Sequence, residues 1–288
     1  MRALAEFVMR GRIQAALVAL CGNLLPLISP AAVGLVGLRR GLSEGLLVAL
    51  WALLPSLLAF YVSDLNPMVI LASIAGVAIV PLAAEVLKVS ISWRLTLLFI
   101  SVVSAALAIL LSVLFSTELS SLQDSLAQLF AEIQKGQPNQ QAVQMFVPER
   151  TFIVGLIGYI MALNAVLSLI LARWWQALLY NPGGFQTEFH QLRLGGREAI
   201  LLLVGIGFCQ FNSSQYFSWG ELLALPLLLS GIALVHFIVA HRKLGGHWLV
   251  IFYVGLVLIG PLSMALIVIS CIDSIVNFRS RLTGNVEQ

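Results

Sequence analysis

The stretch PERTFIVGLIGYIMALNAVLSLILARWWQALLYNPGG, Pro148 to Gly184, decides how the rest of the chain is read. Thr151 to Ala172 carries no charge. At about 1.5 Å per residue, a helix of this length matches the roughly 30 Å hydrocarbon core of a bilayer. A transmembrane helix is therefore predicted here. Arg173 with Trp174 and Trp175 has the make-up of an interfacial belt on a cytoplasmic face. One polar residue, Asn164, falls near the middle of the span. Lipid offers an amide no partner, so other helices must pack around it.

Composition agrees with that reading. Of 288 residues, 60% are hydrophobic and 10% charged, with a mean hydropathy of +0.99, outside the range of soluble domains. The net charge of +3 matters less than where the basic residues lie. Arg2, Arg10 and Arg12 precede the first apolar run with no A-x-A-like cleavage site, so that run is expected to stay in the protein with the N-terminus cytoplasmic. Cys21, Cys209 and Cys271 lie far apart in apolar runs and read as small packing residues.

Outward from the deciding stretch, the chain alternates apolar runs with short polar turns. Ile13 to Leu38 is interrupted by Pro26, Ser29 and Pro30 and ends at Arg39 and Arg40. A single span would leave those arginines outside. A hairpin or pair of short helices is predicted instead, with Ser29 as N-cap and Pro30 at the first helical position. Leu46 to Val62 goes out, Asn66-Pro67 turns the chain, Met68 to Leu87 returns, and Leu95 to Phe115 goes out again. In the external segment 116–150, Leu119, Leu122, Leu126, Leu129, Phe130 and Ile133 recur at helical spacing and Lys135-Gly136 closes the pattern. This amphipathic helix would lie on a membrane interface or on the protein's own outer face. After the deciding helix, Ala199 to Phe217 goes out. Ser218 and Glu221 match a capping box for a helix from Leu222 to Ala240. Trp248 to Ile272 is interrupted at Gly260-Pro261, and a bend there would return Arg279 and Arg281 to the basic side. Twelve of the sixteen Lys and Arg fall in the five segments assigned to the cytoplasm.

Chemistry-bearing residues are few. Asn164, and Asn23 in the broken first segment, are either interhelical hydrogen-bonding groups or polar contacts in a ligand cavity. Gln210, Asn212 and Asp273 are the other candidate ligand-binding residues. Asp273 ends an apolar run within reach of Arg279 and Arg281, and so reads equally as a structural lock. Glu85 is expected to pair with Lys88, and Glu44 with Arg39 or Arg40. The histidines have poor spacing for a metal. No G-x-x-x-x-G-K, H-E-x-x-H or G-x-S-x-G motif occurs, so neither a cofactor nor an enzymatic activity is expected.

The segments LRRGLSEGLL (Leu38 to Leu47), RWWQALLYNPGGF (Arg173 to Phe185) and CIDSIVNFRSR (Cys271 to Arg281) resemble the YybS-like family of bacterial membrane proteins. That family is similar, at a distance, to the substrate-binding S components of energy-coupling-factor transporters. The resemblance implies a six-helix unit within residues 13–172 and additional helices over 198–278. It also implies that Ala15, Ala16 and Ala19 take the place of the alanines that meet a membrane-embedded coupling subunit. The expectation is thus a single all-α, multi-pass bundle of about eight helices in a bacterial inner membrane, its first and last segments short or Pro-broken. Its partners would be the lipid bilayer, a small-molecule ligand and a membrane protein, with no nucleic acid. The alternative is a non-catalytic scaffold that binds a partner through Leu122, Leu126 and Phe130. Cysteines introduced at Arg39, Arg173 and Lys243 are expected to react with an impermeant maleimide from one side of the membrane, and a cysteine at Asp64 from the other. Labelling of the first three from different sides would overturn the topology.

Overall fold

Polar residues at the helix ends and the close approach of small residues set the architecture. A computed structural model describes residues 1–25, 27–135 and 147–284, and these are helical with no strand. The first part of the chain forms α1 (Arg2–Arg10), α2 (Arg12–Cys21), a 3-10 turn (Gly22–Leu24), α3 (Ile28–Arg40), α4 (Leu42–Val62) and α5 (Pro67–Ser90). Then come α6 (Trp93–Leu114), α7 (Ser116–Lys135), α8 (Arg150–Tyr180), α9 (Gly184–His190) and α10 (Gly196–Asn212). The chain continues through α11 (Phe217–His241), α12 (His247–Leu258), α13 (Pro261–Val276) and α14 (Phe278–Gly284). Five helices, α4, α5, α6, α8 and α11, are long and apolar enough to cross a membrane; α12 with α13 makes a sixth, bent by 115°. By length and composition the described residues thus supply five or six spans where about eight were expected; the first segment, over Arg12–Leu24, is apolar but too short to span alone.

Local chemistry explains several boundaries and corrects others. Asn66 caps α5, its side chain accepting from the Met68 N–H at 2.8 Å, with Pro67 at the first helical position. The capping box at Ser218 does not form: α11 begins at Phe217, and the Ser218 hydroxyl instead donates to the Phe152 carbonyl of α8 at 2.7 Å. Ser29 does not cap α3 either. Leu27, in the left-handed region at φ 67°, stands at that position, and the Ser29 hydroxyl turns back onto the Ala19 carbonyl of α2. Pro30 remains in the first turn, where its missing N–H costs no hydrogen bond. Pro26 and Gly136 lie outside the described residues.

The α2–α3 hairpin is present. Its open end is tied by Arg40 donating to the Met9 carbonyl at 2.8 Å and by Arg12 donating to Glu44. Glu44 therefore pairs with Arg12 rather than with Arg39 or Arg40, and Arg39 stacks over the Tyr180 ring at 4.2 Å. Glu85 and Lys88 pair at 3.8 Å. Contacts from Arg12–Glu44 to Arg94–Glu198 and Arg173–Glu188 gather the basic residues at one end of the bundle. The bend before Pro261 returns α13 to that end, where Arg193 donates to the Asp273 carbonyl at 3.2 Å.

At the centre runs α3, buried at every residue from Ile28 to Leu38 and enclosed by α2, α4, α5 and α8. Small residues make this possible. A Cβ on Gly34 would stand 3.0 Å from the Ala172 Cβ of α8 and 3.2 Å from Val80 of α5. A Cβ on Gly45 of α4 would stand 3.0 Å from the Gly37 Cα. Backbones thus pack at distances that no larger side chain allows. Gly34→Val is expected to cost about 1–3 kcal/mol through overpacking. Gly207→Ala in α10, whose added methyl meets nothing within 4 Å, should gain about 0.5–1 kcal/mol. Thermal unfolding in detergent measures both, and a neutral Gly34→Val would show that α3 is loosely held.

Candidate functional site

The break between α2 and α3 leaves backbone carbonyls without helical donors, and a side chain must serve them. Asn23 does so. Its Nδ2 lies 3.0 Å from the Ala19 carbonyl, 3.3 Å from Leu20, 3.1 Å from Ala52 on α4 and 3.3 Å from the Ser29 hydroxyl. Three of these four groups only accept, so the amide nitrogen must face them. The Asn23 Oδ1 is left turned away, accepting no hydrogen bond among the described residues.

Asn23 stands at the edge of a cavity of about 470 Å³, within the size range of small-molecule sites. One wall is a continuous face of α8: Ile153, Leu156, Ile157, Ile160, Met161 and Asn164. At 1.5 Å per residue this face is about 16 Å long and ends at the amide midway along α8. Ala72, Ser73 and Gly76 of α5 form the facing wall, and Leu122 and Leu126 of α7 close over it. The α7 helix is tethered by Asn66, whose Nδ2 donates to the Glu118 carbonyl at 3.1 Å.

Among the described residues, no charged side chain lines the cavity. Its polar groups are neutral and few. Asn164 is half-buried; its Oδ1 accepts weakly from Ser168 at 3.4 Å, and its NH₂ meets no acceptor among the described residues. Ser73 donates to the Val69 carbonyl at 3.0 Å, which leaves its oxygen free to accept. Pro81 has no N–H, so the carbonyl of Val77, another lining residue, lacks its helical donor. The site can therefore recognise an uncharged molecule by a few neutral donors, the Asn164 NH₂ and the Ser56 hydroxyl, and several acceptors set in an apolar frame, while an ion would enter without a counter-charge.

Of the residues singled out in the sequence, Asn23, Asn164, Leu122 and Leu126 meet at this cavity. The other candidates lie elsewhere. Gln210 is exposed beside Gly220, and Asn212 is exposed and donates to the Phe208 carbonyl of its own helix at 3.0 Å. Asp273 is fully buried: its Oδ1 accepts from the Phe278 N–H at 2.8 Å and its Oδ2 faces the Arg279 Nε at 3.6 Å. Burial lowers the Arg279 pKa, Asp273 raises it and Arg193 lowers it again. This cluster locks the C-terminal turn against α11, where Arg279 also reaches the Ser230 carbonyl at 3.4 Å.

The proposed partner surfaces are largely covered by the chain itself. Ala15 and Ala19 are fully buried within the bundle and only Ala16 is partly accessible, while Leu122 and Leu126 face inward. Phe130 is half-buried, and Leu129 leaves the apolar stripe at 50% exposure. Cys21 is exposed rather than packed. Sequence reading missed Ser73, Gly76 and Val77, whose only signal was a small or polar residue within an apolar helix. Comparison with protein-family models, curated proteins and solved structures gives no match.

Asn23→Ala is expected to cost about 1–2 kcal/mol by stranding the carbonyls. Asn23→Asp should cost more at pH 8, where a carboxylate opposes those carbonyls, and recover as the pH falls and the protonated acid regains a donor. Melting curves of both variants between pH 5 and 8 check this. Equal, pH-independent losses would mean that the nitrogen does not face the break.

Proposed function

We propose that this protein captures a small, uncharged, mostly apolar molecule in the cavity between the α2–α3 break, α5, α7 and α8, for passage across a bacterial inner membrane. One observation carries the reading: two amides, from a broken helix and from the middle of a span, line one cavity that has no charged side chain among the described residues. Broken helices near the bilayer midplane are where transporters place their substrate sites. The resemblance to S components supports the same reading, since every lining residue lies between positions 23 and 164, inside the six-helix unit it implies. With the basic end cytoplasmic, the cavity lies toward the outer half and α7 covers it from outside. The scaffold reading is weaker, because Leu122 and Leu126, its proposed contact residues, face the cavity.

Neutral vitamins, nucleobases and lipid precursors are the classes to screen by thermal shift on the purified protein. Two variants make the screen specific. Gly76→Leu should fold, because its Cβ would meet Met161 only at 3.7 to 3.9 Å, and its side chain would occupy the cavity and abolish the ligand's effect. Asn164→Leu preserves volume but removes the amide, and should weaken binding about 5- to 30-fold. A ligand whose effect is unchanged in both variants binds elsewhere, and the absence of any stabilising class would remove the basis for capture.

A further inference from the structure

At the basic end, remote from the apolar cavity, α5, α6, α8 and the segment after α9 enclose a second space of about 570 Å³. Lys88, Arg94, Arg173 and Arg193 line it, with Glu188 as the one carboxylate among its lining residues. Arg173 is already spent on that carboxylate, donating through Nε at 2.9 Å and through a second nitrogen, and it also donates to Gln176. Lys88 and Arg94 are different. Their nearest carboxylates, Glu85 and Glu198, stand at 3.8 Å, well beyond the 2.7–2.9 Å of a charge-assisted hydrogen bond. Neither side chain makes a hydrogen bond among the described residues, and both are about two-fifths exposed.

An aromatic side chain backs the cleft. Trp93 forms part of its wall and is only 7% exposed, and its indole nitrogen is buried with no hydrogen-bond partner. Arg193 commits one nitrogen to the Asp273 carbonyl at 3.2 Å and shares the lining. A guanidinium fork, an ammonium and a second guanidinium around one opening match the oxygens of a phosphate. The place is also right. The cleft lies where α5 ends and α6 begins, beside the last third of α8 and beyond the apolar part of these spans, and Ile91, 87% exposed, gives it an apolar lip. Basic pockets between membrane helices on this side are sites for anionic lipid headgroups.

We propose that this cleft binds a phosphate group, with Arg94 and Lys88 as its principal donors, carried either by an anionic phospholipid or by a water-soluble phosphate compound. The site is independent of the apolar cavity and stands whether or not that cavity takes a ligand.

Phosphatidylglycerol, phosphatidylcholine, glycerol 3-phosphate and inorganic phosphate are titrated separately into the purified protein in neutral detergent, read by melting temperature and by lipid retention in native mass spectrometry. The proteins compared are wild type, Lys88→Gln/Arg94→Gln and, as a control outside the cleft, Arg2→Gln. Phosphatidylglycerol is expected to stabilise wild type and Arg2→Gln where phosphatidylcholine does not, with apparent affinity about tenfold lower in the double variant and reduced by salt. Stabilisation by glycerol 3-phosphate or inorganic phosphate with the same dependence on variant identifies the soluble source. If the double variant fails to fold, Arg94→Lys serves, keeping the charge and losing the fork. No response to any phosphate compound, or a response equal in wild type and the cleft variants, overturns the proposal.

Discussion

The close approach of α3 to its neighbours is the constraint on which the rest depends. A helix buried on every side has no amphipathic face to orient it, and lipid supplies no hydrophobic drive for it to associate. Van der Waals contact between backbones does the work, through Gly34 against Ala172 and Val80, and Gly37 against Gly45. With α3 seated, its preceding break is fixed in depth, and so is the Asn23 amide that serves the break. With α8 seated against α3, Asn164 is brought to the same level. The two amides meet because two glycine contacts hold a short helix at the axis.

The same packing explains how polar groups are tolerated there. Asn23 is stabilised by the carbonyls it serves, so its exposed oxygen comes with no net orphaned donor. At the other end the logic is inverted. Charges are brought together and only partly neutralised by protein, on side chains that stay partly exposed. The molecule thus has a neutral recess and a charged cleft separated by the buried α3, each suited to a different chemistry.

What could be read from the chain followed from short-range rules. The uncharged run of α8, the Asn66-Pro67 cap, the hairpin at residues 13–38 and the return of the chain at Gly260-Pro261 all depend on hydropathy, turn chemistry or charge bias. Failures came where a side chain chose between local and distant partners. Ser218 has the spacing of a cap, yet its hydroxyl serves Phe152 of α8; Glu44 is next to Arg39 and Arg40 in sequence, yet it faces Arg12. Leu122 and Leu126 were legible as an apolar stripe, but not what the stripe would cover. Periodicity shows that a face is apolar and leaves open whether lipid, a partner or the chain's own cavity meets it. Asn23 and Asn164 were visible as polar groups in apolar runs, and only the fold showed that they belong together.

The reversal between α12 and α13 bears on how the chain enters the bilayer. An unbroken helix over these residues would have to carry Asp273, Arg279 and Arg281 through the hydrocarbon during biogenesis, at roughly 2.5–3.5 kcal/mol for each charge at mid-membrane. Doubling back at Ile259 and Gly260 avoids that cost: two short apolar helices replace one long one, and Asp273 and Arg279 stay at the end of the bundle where Arg193 meets them.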